Sequence, residues 1–284
     1  MTQTVDVTHS RERVEERIRD WKIVIQDIWE SPGSILAFGN RDNQPVVLKV
    51  IRQFGDEWRS GEVLNAFDGR GMVRVYQYVG GAVLLERLSP GTSLATMVLN
   101  ERDDEATEII AGVIERMAHP RESLQGFVTV EEWGRGFDRY RTTGDHQVPN
   151  HLIDKGEAWY KHLCATQRER RVLHGDLQHY NILFDERRGW VAIDPKGVVG
   201  ELEYEIGASL RNPVENPEWF TTRERIESRV KRYENKLKLD AKRVLGWGFA
   251  QAVLSVIWTV EDGLPVDGKN VSLMLANAIE PMLE

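Results

Sequence analysis

The feature that most constrains this chain is a short polar loop between two apolar segments. The loop runs from His174 to Asn181, reads His-Gly-Asp-Leu-Gln-His-Tyr-Asn, and is followed thirteen residues later by Asp194. Transfer of a phosphoryl group to a hydroxyl needs a carboxylate that takes the hydroxyl proton, and further oxygen ligands for the Mg²⁺ on the nucleotide. The spacing of Asp176, Asn181 and Asp194 supplies three such groups.

The apolar residues on each side predict β-strands around this loop. Val172 and Leu173 precede it, and the run 182–184 follows. A turn over 185–189 and a second strand over 190–193 then return Asp194 to the side of Asn181. Any one of these polar residues is also a common turn cap. The set of four with His174, in this order, favours the phosphotransfer interpretation.

A phosphotransfer site also needs a cation for the nucleotide phosphates. Lys49 interrupts the apolar run Val46–Ile51, and a lysine in a buried strand requires an anionic partner. Glu62 and Glu57 both follow it, and we favour Glu62 because it shares helical spacing with Trp58, Val63, Leu64 and Phe67. The turn with Ser31, Gly33 and Ser34 precedes the lysine strand and is predicted to cover the phosphates, although such a segment is more often a simple turn.

The apolar strand that ends in Glu86-Arg87-Leu88 is followed by Ser-Pro-Gly. This pattern is typical of a connector between two lobes, where an adenine edge pairs with backbone groups near Glu86 and Leu88. An ordinary strand end followed by a linker explains the same residues equally well.

These segments together resemble a known family. Lys49, Glu86-Arg87-Leu88, the loop 174–181 and Asp194-Pro195-Lys196-Gly197 resemble the aminoglycoside phosphotransferases, relatives of the protein kinases. Within them the chain is most similar to the streptomycin 6-phosphotransferases, also grouped as aminoglycoside/hydroxyurea resistance kinases. The resemblance implies that Asp176 is the catalytic base, that Asn181 and Asp194 bind Mg²⁺, that Lys49 holds the phosphates of ATP and that Glu62 orients Lys49.

The resemblance also implies the fold. We expect an α+β, protein-kinase-like two-lobe fold, with a small antiparallel β-sheet N-lobe that has one helix, and a larger, mostly helical C-lobe. The expected domains are a nucleotide-binding lobe over 1–88 and a catalytic and substrate-binding lobe over 89–284. In the second lobe apolar spacing predicts helices over 94–99, 101–118 and 152–170 and over most of 218–284, with a loop-containing insertion over 121–150.

The resemblance also implies the activity, an ATP- and Mg²⁺-dependent phosphoryl transfer to the 6-hydroxyl of streptomycin, which inactivates the antibiotic. One alternative is a kinase for another small hydroxyl compound, such as hydroxyurea or a metabolic alcohol. A second alternative is a catalytically silent nucleotide-binding module, which the intact Lys49, Asp176, Asn181 and Asp194 argue against.

The net charge of −8, most of it beyond residue 90, argues against a nucleic acid partner and favours a cationic aminoglycoside substrate. Acidic surfaces also serve solubility alone. The candidate carboxylates for the substrate are Glu201, Glu203, Glu261 and Asp262, whereas Glu205 is expected to brace the lobe.

The remaining signals concern location. The single cysteine, Cys164, excludes an internal disulfide and suits a reducing compartment. The charged segment from Arg11 to Asp20 is unlike a signal peptide, and we expect no membrane-spanning stretch, no protein partner and a cytoplasmic location. The segment Gly263–Asn270 nearly matches a nucleotide P-loop, but it ends in Asn and follows a helical pattern, so we interpret it as a turn between helices.

Overall fold

The computed structural model describes residues 7–117 and 124–284, which divide into two compact units. The first unit comprises Met1–Thr92 and Leu183–Lys196, and the second comprises Ser93–Ile182 and Gly197–Glu284. The proposal that 1–88 is the nucleotide-binding lobe and 89–284 the catalytic lobe concerns function and remains a prediction.

The first unit is built on antiparallel strands. Its helices are α1 (Val7–Asp20) and α2 (Ser60–Phe67), and a 3₁₀ helix spans Asp56–Arg59. Its five-stranded sheet has the order β1-β2-β3-β5-β4, with β1 (Val24–Glu30), β2 (Ser34–Arg41), β3 (Gln44–Ile51), β4 (Val75–Val79) and β5 (Ala82–Glu86). A smaller sheet has the order β10-β9-β6, with β6 (Pro90–Ser93), β9 (Ile182–Asp185) and β10 (Gly189–Ala192).

The large sheet has two different faces because side chains alternate along each strand. In β3, Val46, Leu48 and Val50 are buried in a core that also contains Val14 and Trp21 from the segment of α1 and its C-terminal turn. The intervening Val47 and Lys49 point to the opposite face, where they line a cavity. The period-2 pattern of this strand therefore places a lysine side chain among apolar neighbours.

The second unit is mostly helical. Its long helices are α4 (Asp103–Arg116), α5 (Val130–Thr143), α6 (Asn150–Ala165), α10 (Arg223–Leu237) and α11 (Ala241–Glu261). Its shorter helices are α3 (Ala95–Leu99), α7 (Leu202–Glu205), α8 (Gly207–Leu210), α9 (Pro217–Phe220) and α12 (Val271–Ile279). A three-stranded sheet has the order β7-β11-β8, with β7 (Val128–Thr129), β8 (Arg171–Leu173) and β11 (Val198–Gly200).

Helix α11 is the core helix of this unit. It has 21 residues and is apolar enough, by length and composition alone, to cross a membrane, which corrects the expectation that no such stretch exists. It packs against α6, α12 and α8, and 67% of its apolar window is buried inside the protein. Packing of this kind accounts for its apolar character without a bilayer.

Several sequence predictions differ from the structure in detail. The first unit has α1 in addition to the one helix predicted. Much of the predicted loop-containing insertion over 121–150 is helix α5, and residues 121–123 of it, like Ala118 at the predicted end of α4, lie outside the described residues. The P-loop-like segment Gly263–Asn270 does connect α11 to α12, and the Asn270 side chain caps α12 by accepting the Leu273 N–H at 3.0 Å.

Candidate active site

The first unit contains a cavity of about 460 Å³ on the face of the sheet that carries Lys49. Its walls are largely apolar, as in most small-molecule sites. The apolar lining includes Leu36, Phe38, Val47, Leu64, Val73, Val83, Leu85, Leu88, Leu183 and Ile193. Lys49 and Asp194 line the same cavity and bring opposite charges to it.

Lys49 belongs to a series of ion pairs in which basic and acidic side chains alternate. Its side chain is buried, at 8% exposure, and Nζ forms ion pairs with Oδ1 of Asp194 and, at 3.4 Å, with Oε2 of Glu57. The other oxygen of Glu57 pairs with Nζ of Lys196. A buried ammonium group without such partners would be strongly destabilising. The two carboxylates thus hold the Lys49 side chain in place inside the cavity.

The choice of Glu62 as the partner of Lys49 is corrected by the structure. Glu62 pairs with Arg59 instead. Helix α2 turns Val63, Leu64 and Phe67 toward the protein interior, and Glu62 lies away from that face. Glu57, the other candidate, lies in the preceding 3₁₀ helix and reaches the lysine.

Asp194 follows β10 in an uncommon backbone conformation. Its φ of +59° lies in the left-handed region, which residues other than glycine rarely adopt. Such conformations persist where the surrounding structure enforces them, and they are frequent at functional sites. The carboxylate of Asp194 lines the cavity beside Lys49.

The predicted phosphate-covering turn connects β1 to β2. The Ser31 N–H donates to the Ser34 carbonyl at 2.9 Å, and the Ser34 N–H donates to the Ser31 hydroxyl at 3.1 Å. A side chain at Gly33 would meet open space. Of these three residues Ser34 is among those that line the cavity. Their contact with phosphate remains a prediction.

The predicted connector is braced through its side chains. The Glu86 carboxylate accepts the Arg74 N–H at 2.9 Å and pairs with Arg188. The Ser89 N–H donates to Asp185 at 2.9 Å, and Leu88 lines the cavity. The segment beside the cavity is therefore held by the turn between β9 and β10. That adenine pairs with backbone groups near Glu86 and Leu88 remains a prediction.

The polar loop of the second unit follows β8. His174 is fully buried, and its Nδ1 accepts the Asp176 N–H at 3.2 Å. Gly175 has a φ of +80°, a conformation that favours glycine and turns the chain sharply at this point. These two residues fix the backbone immediately before Asp176.

Asp176 and Asn181 are in direct contact. The Asn181 amide nitrogen donates to the carbonyl oxygen of Asp176 at 2.9 Å and to its carboxylate oxygen Oδ2 at 3.2 Å. Both bonds use Nδ2, so the amide oxygen of Asn181 is left without a partner among the residues that the structure describes. The loop thus orients a carboxylate and presents an amide oxygen beside it.

Glu205 braces this loop from α7. Its carboxylate accepts the His174 N–H at 2.7 Å and the Gly175 N–H at 2.9 Å. Burial raises the pKa of Glu205 to about 7, and the backbone donors act in the opposite direction. The contacts agree with the bracing role that the sequence predicts for this residue.

The four candidate substrate carboxylates have different surroundings. Glu201 is buried and bonds to Arg243 and to Nε1 of Trp247 at 2.6 Å, contacts that favour a structural role, and a substrate role for it remains a prediction. Glu261 pairs with Arg139 at 2.8 Å, and Asp262 is exposed at the end of α11. Glu203 is buried, at 8% exposure, and has no ion-pair or hydrogen-bond partner in the described ranges 7–117 and 124–284.

Two charged residues near these groups were not predicted as site residues. Arg211 lies 3.6 Å from Asp176, and Lys196 pairs with Glu57. Lys196 lies in the motif Asp194–Gly197, but the sequence predicts no role for it. Arg211 follows α8 far along the chain from Asp176, and no spacing rule connects the two positions.

The donor set fits Mg²⁺ bound through a nucleotide. Within residues 7–117 and 124–284, no group of three or more His, Cys, Asp or Glu side chains is arranged to hold a metal ion. Mg²⁺ usually takes one or two protein oxygens together with water and substrate phosphates, rather than a cage made only of protein. The Asp194 carboxylate of the first unit and the Asn181 amide of the second each carry an oxygen of the kind that Mg²⁺ prefers, and their binding of the ion remains a prediction.

Comparison with known proteins gives concordant results. Residues 27–263 match the sequence model of a family described as aminoglycoside/hydroxyurea antibiotic resistance kinase. The streptomycin 3''-kinase of Klebsiella pneumoniae is 31% identical over 225 residues, which span 78% of this chain and 82% of that protein. The streptomycin 6-kinase of Streptomyces griseus is 31% identical over 214 residues, which span 71% and 66% of the two chains.

A solved structure with the same architecture is the choline kinase LicA from Streptococcus pneumoniae. It superimposes with a TM-score of 0.63 over 96% of this chain and 98% of that chain, at 16% identity. At that identity the likeness concerns the fold alone. The predicted α+β, protein-kinase-like fold class is confirmed.

Proposed function

Since the chain belongs to the aminoglycoside/hydroxyurea antibiotic resistance kinases, which transfer a phosphoryl group to a hydroxyl acceptor, we propose that it phosphorylates streptomycin. The observation that carries the proposal is the Asp176 carboxylate, oriented by the Asn181 amide at 3.2 Å and only 29% exposed. A carboxylate held in this way is suited to accept the proton of a hydroxyl.

ATP is the proposed phosphoryl donor, and the cavity of the first unit is its proposed site. The apolar walls suit an adenine ring, with hydrogen bonds to the backbone near Glu86 and Leu88. Lys49 would hold the phosphates, and Glu57 would keep Lys49 in place. Ser31, Gly33 and Ser34 would cover the phosphates from the β1–β2 turn.

Asn181 and Asp194 are the proposed ligands of the Mg²⁺ that accompanies ATP. The order of the chain supports their joint action, since Asn181 directly precedes β9 and Asp194 follows β10, its neighbour in the sheet. The ion would supply charge neutralisation on the phosphates. Lys49, which pairs with Asp194, would hold the phosphate oxygens beside the ion.

The proposed reaction is a single in-line displacement. Asp176 takes the proton of the acceptor hydroxyl as that oxygen forms its bond to the γ-phosphorus, and the bond from the γ-phosphorus to the bridging oxygen breaks. The electron pair of the broken bond leaves with ADP. Asp176, Lys49, Asn181 and Asp194 would provide positioning and charge stabilisation, so the transfer needs no phosphoenzyme.

A cationic substrate is supported by the acidic charge of the chain and by Glu203. Streptomycin carries two guanidinium groups, and a guanidinium forms strong paired hydrogen bonds with a carboxylate. Glu203 is the candidate we favour, because the other three are paired, structural or fully exposed. Because Glu203 has no partner within residues 7–117 and 124–284, its carboxylate is available to a ligand.

We propose the 6-hydroxyl as the acceptor because the motifs resemble those of streptomycin 6-phosphotransferases. The 3''-hydroxyl is a second candidate acceptor. Of two relatives that are each 31% identical to this chain, one is a streptomycin 3''-kinase and the other a streptomycin 6-kinase. Hydroxyurea is the second candidate substrate because the family description includes it.

The test is Mg²⁺-dependent release of ADP by the purified protein with streptomycin, kanamycin, hydroxyurea and homoserine. We expect turnover with streptomycin, and nuclear magnetic resonance of the product then assigns the hydroxyl. Turnover with hydroxyurea in place of streptomycin would overturn the substrate. Nucleotide binding without turnover of any acceptor would favour the silent module.

A further inference from the structure

Asp176 has a cationic neighbour that no motif predicts. Nη2 of Arg211 lies 3.6 Å from Oδ1 of Asp176, while Asn181 bonds to the other carboxylate oxygen, Oδ2. The two side chains of the ion pair are 15% and 29% exposed, respectively. We propose that Arg211 is a positioning residue that aims the Asp176 carboxylate at the acceptor hydroxyl. The inference rests on the proposed function, in which Asp176 takes the hydroxyl proton.

The backbone on both sides of Arg211 is fixed by a buried arginine. Nη1 of Arg229 donates to the carbonyls of Ser209 and Asn212, each at 2.9 Å. Arg229 is 1% exposed and pairs with the fully buried carboxylate of Asp103. A charge pair of this kind breaks only at a high cost in free energy. The chain therefore has little freedom to move Arg211 away from Asp176.

The side chain of Arg211 is also held from a second direction. Nη1 of Arg211 lies 3.5 Å from Oε1 of Gln251 on α11. The amide nitrogen of Gln251 is itself fixed, because it donates to the Tyr204 carbonyl at 2.5 Å. Two elements of the unit, α11 and the segment after α8, thus direct one guanidinium at one carboxylate.

The distance between Arg211 and Asp176 is compatible with Asp176 acting as a base. At 3.6 Å the ion pair attracts the negative charge but is too long to be a direct hydrogen bond. Arg211 therefore restrains Oδ1 by charge and not through a short hydrogen bond of its own. Asn181 fixes Oδ2, Arg211 restrains Oδ1, and together they limit rotation of the carboxylate. A base that is already aimed loses less entropy when it reacts.

The experiment compares Arg211→Met, Arg211→Lys and the control Arg232→Met in the full chain. Arg232 lies in the same unit but pairs with Asp104 and Glu108. We expect Arg211→Met to lower kcat at least about tenfold, with the KM values for ATP and streptomycin within about twofold of wild type. Arg211→Lys keeps a cation and should recover part of kcat, whereas Met keeps only the apolar stem.

A structural role predicts a different pattern. In that case Arg211→Met and Arg211→Lys would lower kcat equally, and the loss of activity would follow the loss of thermal stability measured for each variant. That pattern, or a normal kcat for Arg211→Met, would overturn the inference. Arg232→Met should leave kcat unchanged.

A double-mutant comparison separates this inference from the proposed function. If Arg211 acts through Asp176, adding Arg211→Met to Asp176→Asn should not lower the residual turnover further. A further tenfold loss would show that Arg211 acts independently of Asp176 and would overturn the inference. Near-normal turnover of Asp176→Asn alone would instead contradict the proposed function.

Discussion

Lys49 is the residue on which the proposed nucleotide site depends. Its position among Val46, Val47 and Leu48 was evident from the sequence, because a single lysine in an apolar strand needs a special reason to be there. Its acidic partner was not, because Glu57 lies in a 3₁₀ helix whose direction no periodicity predicts. Side-chain direction outside regular elements is decided by tertiary packing.

Substitutions of Glu57 and Glu62 form a matched pair for testing the proposed nucleotide site. We expect Glu57→Gln to raise KM for ATP about tenfold, since Lys49 loses its partner on the 3₁₀ helix. Glu62→Gln loses only the contact with Arg59 and should change KM for ATP less than about twofold. Initial rates at varied ATP concentration measure both KM values. A larger effect of Glu62→Gln than of Glu57→Gln would identify Glu62 as the partner of Lys49.

Glu205 gives a pH-dependent prediction. Burial raises its pKa from the ordinary 4.5 to about 7, so the folded protein binds this proton more readily than the unfolded chain. Its contribution to stability is therefore fully present below about pH 4.5 and is lost as the pH rises through 7. We expect the free energy of unfolding, relative to Glu205→Gln, to fall by ~2–3 kcal/mol between pH 5 and pH 8. Urea unfolding at both pH values measures it, and a difference that is independent of pH would refute the assignment.

At the scale of elements, strands and apolar helices were easier to predict than charged helices. Helix α11 and the helices α4 and α6 have continuous apolar stripes. Helix α5 contains two glycines and many charges, and its residues fall in the segment 121–150 that the sequence predicts as a loop-containing insertion. A signal for it does exist in the capping box that Thr129 and Glu132 form at its first turn.

The packing of α4 against α10 depends on the pair Asp103–Arg229. We expect Arg229→Met to lower the free energy of unfolding by ~3–5 kcal/mol, because it removes the closer cation from a buried carboxylate and leaves it only the Arg225 guanidinium at 3.9 Å. Arg223→Met on the same helix removes only an exposed pair with Glu227 and should cost less than ~0.5 kcal/mol. Urea titration of both variants tests this contrast, and equal effects would show that burial does not determine the strength of the pair.

At the scale of the whole molecule, the fold class could be predicted because the motifs resemble those of a known family, and that resemblance implies its two-lobe fold. It did not predict the surroundings of the acidic candidates. Glu201 and Glu203 are two residues apart, yet one is bonded to Arg243 and Trp247 and the other has no partner in the described parts of the chain. Such differences arise from contacts between distant segments, which local sequence does not encode.

The net charge of −8 makes a prediction about salt. Attraction between an acidic protein and a polycationic substrate weakens as ionic strength rises. We expect kcat/KM for streptomycin to fall severalfold between about 20 mM and 200 mM NaCl, with unfolding temperature as the control for stability. A salt-independent kcat/KM would mean that the acidic charge plays no part in substrate capture.

The most direct test of the central claim is the turnover of streptomycin by Asp176→Asn compared with wild type. The substitution keeps the shape of the side chain and removes its ability to take a proton. We predict a loss of ~10²–10⁴-fold in kcat, with ATP binding and unfolding temperature close to those of wild type. Near-normal turnover in a folded, ATP-binding variant would contradict the assignment of Asp176 as the base and the mechanism built on it.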